Sequence, residues 1–129
     1  MTFARETDRN KAITRRLLEE LWSGADLALA DELFAPDFRH HNAPTGTLPG
    51  PAGQRAFLTH MRARMPDMQT SIADLFAEGE RVAVRWTRSF TGPDGAEARA
   101  EGADILIVRE GRIVELWAYA PQIESLSEI

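Results

Sequence analysis

The chain has 129 residues, of which 15 are Lys or Arg and 20 are Asp or Glu, for a formal charge of −5. That length suits one domain, residues 1–129, with one real core. The acidic balance, without a long Lys/Arg run, excludes nucleic acid and anionic membrane as expected partners. No cysteine is present, which removes disulfides, thiol nucleophiles and cysteine-ligated metals. The opening MTFARETDRNKAITRR lacks the apolar stretch of a signal peptide. No segment approaches the ~20 apolar residues that span a bilayer. A soluble cytoplasmic protein is the expectation.

The first half reads as helices. In TDRNKAITRRLLEELWSG, Thr7 or Asp8 is placed to cap the start. Ile13, Leu17 and Leu21 recur at four-residue spacing beside Leu18 and Trp22, and Gly24 is a stop. DLALADELFAPDF predicts a short second helix, begun by Asp26 and ended before Pro36. A loop carrying His40 and His41 follows. GPAGQRAFLTHMRARMP predicts a third helix with Pro51 in its first turn, an apolar stripe of Phe57, Leu58, Met61 and Met65, and an end at Pro66.

The second half reads as an antiparallel meander. MQTSIADLFAEGERVAVRWTRSF predicts two strands joined at Glu78-Gly79-Glu80, and TGPDG is a strong turn. A third strand covers about 96–109 and a fourth about 112–120, joined at Glu110-Gly111. Helices followed by a meander define an α+β domain.

Side chains alternate across a strand, so residue parity reports the face they line. Val82, Val84 and Trp86 share a core face, and Arg88, of the same parity, is expected to reach solvent at the strand end. On the third strand the even face reads Ala96, Ala98, Ala100, Gly102, Asp104, Leu106, Val108. A carboxylate there sits among apolar and unusually small neighbours, which suits either close packing or an open cavity. A buried carboxylate needs a partner. Asp104 is therefore either a structural partner of an arginine or backbone group, or a group poised for chemistry; a bulge at Gly102 would instead turn it outward. The fourth strand repeats the pattern with Val114, Leu116, Ala118 and Ala120. The odd positions Ile105, Ile107, Ile113, Trp117 and Tyr119 form a second apolar face, which predicts a homodimer through the outside of the sheet.

His40 and His41 are either solvated loop residues or, for one of them, a partner for Asp104. In an extended segment only one of the two faces inward. Trp22, Phe38, Phe57, Met61, Met65, Trp86 and Leu106 are the apolar candidates for a ligand site, and all also suit an ordinary core. No His-Glu-x-x-His, phosphate-binding glycine loop or Gly-x-Ser-x-Gly elbow is present, so no metal and no cofactor is expected.

LFAPDFRHHNAP, GPAGQRAFLTHMRARMPD, ERVAVRWTRSFTG and EGADILIVREGRIVELW together resemble the SnoaL-like polyketide cyclase family of the nuclear transport factor 2-like superfamily. The resemblance spans about 20–120. It implies a cone-shaped α+β barrel in which helices cover a curved antiparallel sheet around a deep apolar cavity, often dimeric through the outer sheet face. It also implies cofactor-independent acid/base chemistry, with His41 at the family's pocket histidine and Asp104 at a second polar position. Family cyclases commonly end the last strand in Glu-x-Trp-Asp or Glu-x-Trp-Asn, the final residue being the base. Here ELWAY puts Ala118 at that position. The expectation is an enzyme of cyclase or isomerase type on a small, largely apolar carbonyl compound. Asp104 is its base, His41 its hydrogen-bonding partner, and His40 and Ala118 join the apolar candidates in lining the pocket. The alternatives are a non-catalytic small-molecule-binding dimer and an epoxide or ester hydrolase.

Overall fold

The computed structural model describes residues 2–120; residues 1 and 121–129 of the expected domain lie outside the described residues. Helix α1 runs Thr2–Arg16 and continues as a π-helical stretch, Leu17–Ser23. A 3-10 turn, Leu27–Leu29, leads into α2 (Ala30–Leu33) and then strand β1 (Phe34–His40). Helix α3 (Gly50–Arg64) is followed by β2 (Gln69–Glu78), β3 (Arg81–Thr91), β4 (Glu97–Arg109) and β5 (Arg112–Tyr119). Among the described residues, no helix is long and apolar enough to cross a membrane.

The meander forms as its turn glycines and alternation predict. Strands β2 to β5 pair antiparallel in sequence order, with Val82 opposite Leu106 and Trp86 opposite Gly102. The expected second helix is much shorter. After α2 the chain extends and β1 pairs parallel with β5, so Pro36 lies inside an edge strand rather than after a helix. The result is an α+β fold, with helices on a mixed five-stranded sheet of order β1-β5-β4-β3-β2. The sheet stays open, with β1 and β2 as its edges. Register shifts in the β1–β5, β2–β3 and β4–β5 pairs bend it.

Helix α1 begins well before the expected caps at Thr7 or Asp8. It packs on β2 and β3, while α3 packs on β1. The core between helices and sheet contains Ile13, Leu17, Leu18, Leu21, Leu33, Phe34, Phe38, Val82, Val84, Leu106 and Val108. Phe57, Met61, Met65 and Met68 form a second cluster under α3. The widened turn ends at Gly24, whose N–H donates to the Glu19 carbonyl at 3.0 Å. Such π turns are rare and frequent at functional sites, and this one carries Trp22.

Two parity expectations change. The β3–β4 register is unbroken from Arg81↔Ile107 to Thr91↔Glu97, so Gly102 carries no bulge and Asp104 stays on the inner face. In β5 the register shifts beyond the Ile107↔Glu115 pair, leaving Val108 opposite Ile113. Val114 is the extra residue, and Ile113 turns into the core, fully buried. It therefore leaves the predicted outer face, which retains Ile105, Ile107, Trp117 and Tyr119.

Candidate active site

A cavity of about 320 Å³ opens between α3, the π-helical end of α1 and the inner face of the sheet. Its wall includes Trp22, His40, Gln54, Phe57, Met61, Trp86, Arg88, Asp104, Leu116 and Ala118, and its mouth Asn42, Pro44, Tyr119 and Ala120.

Asp104 sits in this wall with 6% of its surface exposed. Its Oδ1 accepts a hydrogen bond from the Trp86 indole Nε1 at 3.1 Å. Burial pushes its carboxyl up to about 6, against the opposing pull of the indole N–H and the Arg88 charge. Its Oδ2 has no hydrogen-bond partner among the described residues. Gly102 makes this arrangement fit. A Cβ there would lie 2.3 Å from the Trp86 ring and 2.7 Å from the Tyr119 carbonyl oxygen, so only glycine leaves room for the indole. The small residues of β4 thus serve close packing at Gly102 beside the open cavity.

Arg88 does not reach solvent as its strand-end position suggested. It is only 8% exposed, because two indoles cover it. Its guanidinium carbon lies 4.3 Å from the Trp22 ring centre and 4.2 Å from that of Trp86. Its Nε donates to Thr70 Oγ1 at 3.2 Å. Thr70 is held in turn by Ser23: the Thr70 N–H donates to Ser23 Oγ at 2.7 Å, and that hydroxyl donates to the Thr70 carbonyl at 3.0 Å. Arg62 ties down the same corner, donating to the Ser23 and Met68 carbonyls at 2.6 and 2.7 Å. Burial pulls Arg88 down to about 10, which leaves it cationic at neutral pH.

The histidines are placed in the reverse of the expected order. His40 lines the cavity, edge-on to Phe57 at 6.0 Å between ring centres. His41 stacks on Trp117 at 4.4 Å and places Nε2 2.6 Å from Glu115 Oε1, on the outer face of the sheet. The reason is β1. Once 34–40 is a strand, His40 has the parity of the buried Phe34 and Phe38, and His41 the opposite one. Gln54 Nε2 approaches His40 Nδ1 at 3.3 Å. With the amide donating, the His40 proton is on Nε2, a buried atom with no partner among the described residues. Burial, with the neighbouring His41, lowers the His40 pKa to about 4, so its ring is neutral at pH 7.

Of the other predicted lining residues, Trp22, Phe57, Met61, Trp86 and Ala118 reach the cavity. Phe38 and Leu106 do not: both are fully buried in the main core. Met65 closes the second cluster instead. Gln54 was missed, although it precedes Phe57, Leu58 and Met61 at three-, four- and seven-residue spacing and so lies on the buried stripe of α3. Asn42 carries no such signal. It grips Ala118 through the backbone, its Nδ2 donating to the carbonyl at 2.7 Å and its Oδ1 accepting from the N–H at 2.8 Å. Ala118 pairs directly across from Asp104 in the β4–β5 register.

A largely apolar cavity between helices and a bent sheet, holding a buried carboxylate, a buried cation and a neutral imidazole, thus sits in an α+β fold of the nuclear transport factor 2-like kind. The chain belongs to the SnoaL-like family, whose domain model matches residues 14–116. No curated protein matches it in sequence. Among solved structures it is similar to a candidate polyketide cyclase from Bacillus cereus, at 23% identity over 87% of this chain and 74% of that one, with a TM-score of 0.81. It is similar to wild-type IdmH, a candidate polyketide cyclase from Streptomyces antibioticus, at 25% identity over 92% and 96%, with a TM-score of 0.75. It is also similar to an epoxide hydrolase of M. tuberculosis, at 18% identity over 90% and 85%, with a TM-score of 0.74. The shared scaffold hosts different chemistries, so the side chains in the cavity, rather than the fold, determine the reaction.

Proposed function

We propose that the protein is a cofactor-independent acid/base enzyme of cyclase or isomerase type, acting on a small, largely apolar carbonyl compound. The observation that carries this reading is Asp104, a carboxyl in a cavity wall, raised by burial to about 6 and with one oxygen free of partners among the described residues. A base of that pKa is ionised at pH 7 and still accepts a proton readily. Asp104 removes the proton next to the substrate carbonyl, and the electron pair moves onto the carbonyl oxygen. Neutral His40 lines the same cavity, and a turn of its ring brings the Nε2 proton, covered in this structure, to that oxygen as its donor. The enolate then recovers the proton at another carbon, or attacks a second carbonyl whose alkoxide takes the proton from Asp104. Ala118 at the family's usual acidic position leaves the base role to Asp104 directly across the strand pair. His41, bound to Glu115 on the far face, has no part in it.

Deuterium exchange tests this before the product is known. Small enolisable ketones are incubated with the protein in D2O and carbon-bound deuterium is followed by NMR. The native protein accelerates exchange, and Asp104→Asn lowers that rate by about 10²–10⁴-fold. No acceleration over buffer, or equal rates in the two proteins, overturns the reading. The buried Arg88 in the same wall favours a second reading, hydrolysis with Asp104 activating water. Conversion of styrene oxide to its diol, with no ketone exchange, would select it.

The working unit in this proposal is a homodimer through the outer sheet face. Ile105, Ile107 and Trp117 lie there beside Tyr119 and Phe76, which are 56% and 64% exposed. An apolar patch on the sheet face opposite the core favours a covering partner.

A further inference from the structure

Arg88 and Asp104 are opposite charges in one small cavity, yet they form no direct ion pair. The Trp86 indole separates them. Its N–H edge donates to Asp104 and its face carries Arg88. Trp22 closes the other side of the guanidinium. Of the five guanidinium N–H groups, only Nε–H has a partner among the described residues, Thr70. A structural arginine at this depth would be expected to satisfy its fork on carboxylates or carbonyls. This one is instead clamped at its Nε by Thr70 and at both faces by indoles, and it lines the cavity with its Nη groups unclaimed by any described residue. Two parallel N–H bonds from such a fork match a planar oxyanion.

We infer that Arg88 is the anion receptor of the cavity, and that the ligand is a compact apolar molecule bearing one planar oxyanion, a carboxylate or the enolate of a 1,3-dicarbonyl. This rests on the cavity being the reaction site and narrows the substrate class within it. The indole spacer is what makes the receptor work. A guanidinium allowed to collapse onto Asp104 would be spent on that carboxylate, and both the base and the anion site would be lost. The Trp22–Arg88–Trp86 stack also gives flat apolar walls on either side of the fork, so the remainder of the ligand is expected to be planar or ring-shaped. A cavity of about 320 Å³ is at the small end of the ~300–1,000 Å³ range for ligand sites, which fits one such ring.

Calorimetric titration of the native protein with matched acid and neutral probes tests this. The pairs are benzoate against benzamide, and the enolate of dimedone against 3,3-dimethylcyclohexanone. Trp22 and Trp86 fluorescence reports where each probe binds. At least one anion binds roughly 10- to 100-fold tighter than its neutral counterpart, the gain of a charge-assisted bond in a desolvated site, and the member that does so names the oxyanion. Arg88→Met removes the preference. Arg88→Lys, which keeps the charge and guards against a variant that does not fold, retains a reduced one. Neutral probes binding as well as both anions, or a preference that survives unchanged in Arg88→Met, overturns the assignment. Asp104→Asn separates this claim from the base reading. It leaves the anion preference in place or increases it, whether or not it abolishes ketone exchange.

Discussion

Replacing Asp104 by Asn keeps the shape and the acceptor for the Trp86 N–H while removing the ionisable proton. In the native protein the Asp104 carboxyl is raised from its ordinary 3.8 to about 6. The folded state then holds this proton more tightly than the unfolded chain. Its contribution to stability is fully present below pH 3.8 and is lost as pH rises through about 6. The gap corresponds to about 3 kcal/mol at pH 8, and the pull of Arg88 on the charge is already contained in that raised value. Asn removes most of this cost but leaves Arg88 without a neighbouring anion, so the net gain is about 1–3 kcal/mol. That is a rise in Tm of a few degrees for a domain of this size. Melts of both proteins between pH 4 and pH 8 are the assay. The variant should gain on the native protein as pH rises through the window and lose that advantage at pH 4. A variant that melts clearly lower at pH 8, or a difference that does not change with pH, would show that Asp104 is a structural anion and refute the reasoning.

For any turnover found, the acidic limb of kcat/KM should fall away below about pH 6, where Asp104 becomes protonated, and the limb should vanish in Asp104→Asn. His40 titrates in the opposite sense: its pKa is lowered to about 4, so its contribution is present above pH 6.5 and is lost as pH falls through 4. His40→Phe should therefore flatten the acid side of the stability profile measured by thermal melts. Gly102→Ala drives a methyl group into the Trp86 ring and should cost about 1–3 kcal/mol, with a change in tryptophan fluorescence; an unchanged melt and spectrum would contradict the packing described. Sedimentation should give a dimer mass at micromolar concentration, and Trp117→Arg a monomer of unchanged secondary structure.

The meander was legible because each strand carries its own evidence, alternation within it and Gly-containing turns at Gly79 and Gly111. Parity put Asp104 on the even, apolar face of its strand, and the unbroken β3–β4 register, without a bulge at Gly102, keeps it there. Strand β1 could not be read this way. It is short, contains Pro36, follows a helical pattern without a break, and takes a parallel partner more than 70 residues away, so nothing local distinguishes it from the end of a helix. Missing it inverted the assignment of His40 and His41. Ile113 was misplaced for a related reason: one extra residue in β5 flips every side chain beyond it, and no glycine or proline marks the spot. Arg88 had the right parity, but its cover comes in part from Trp22, brought from α1 by a π turn. A long-range stack of that kind has no local signature.

The most direct test of the central claim is the titration of Asp104 itself, followed through its side-chain carboxyl carbon by 13C NMR with Asp104→Asn as the assignment control. The account predicts a midpoint near 6. A midpoint at or below the ordinary 3.8 would mean that the carboxylate is a stabilised anion, and would contradict its role as the base.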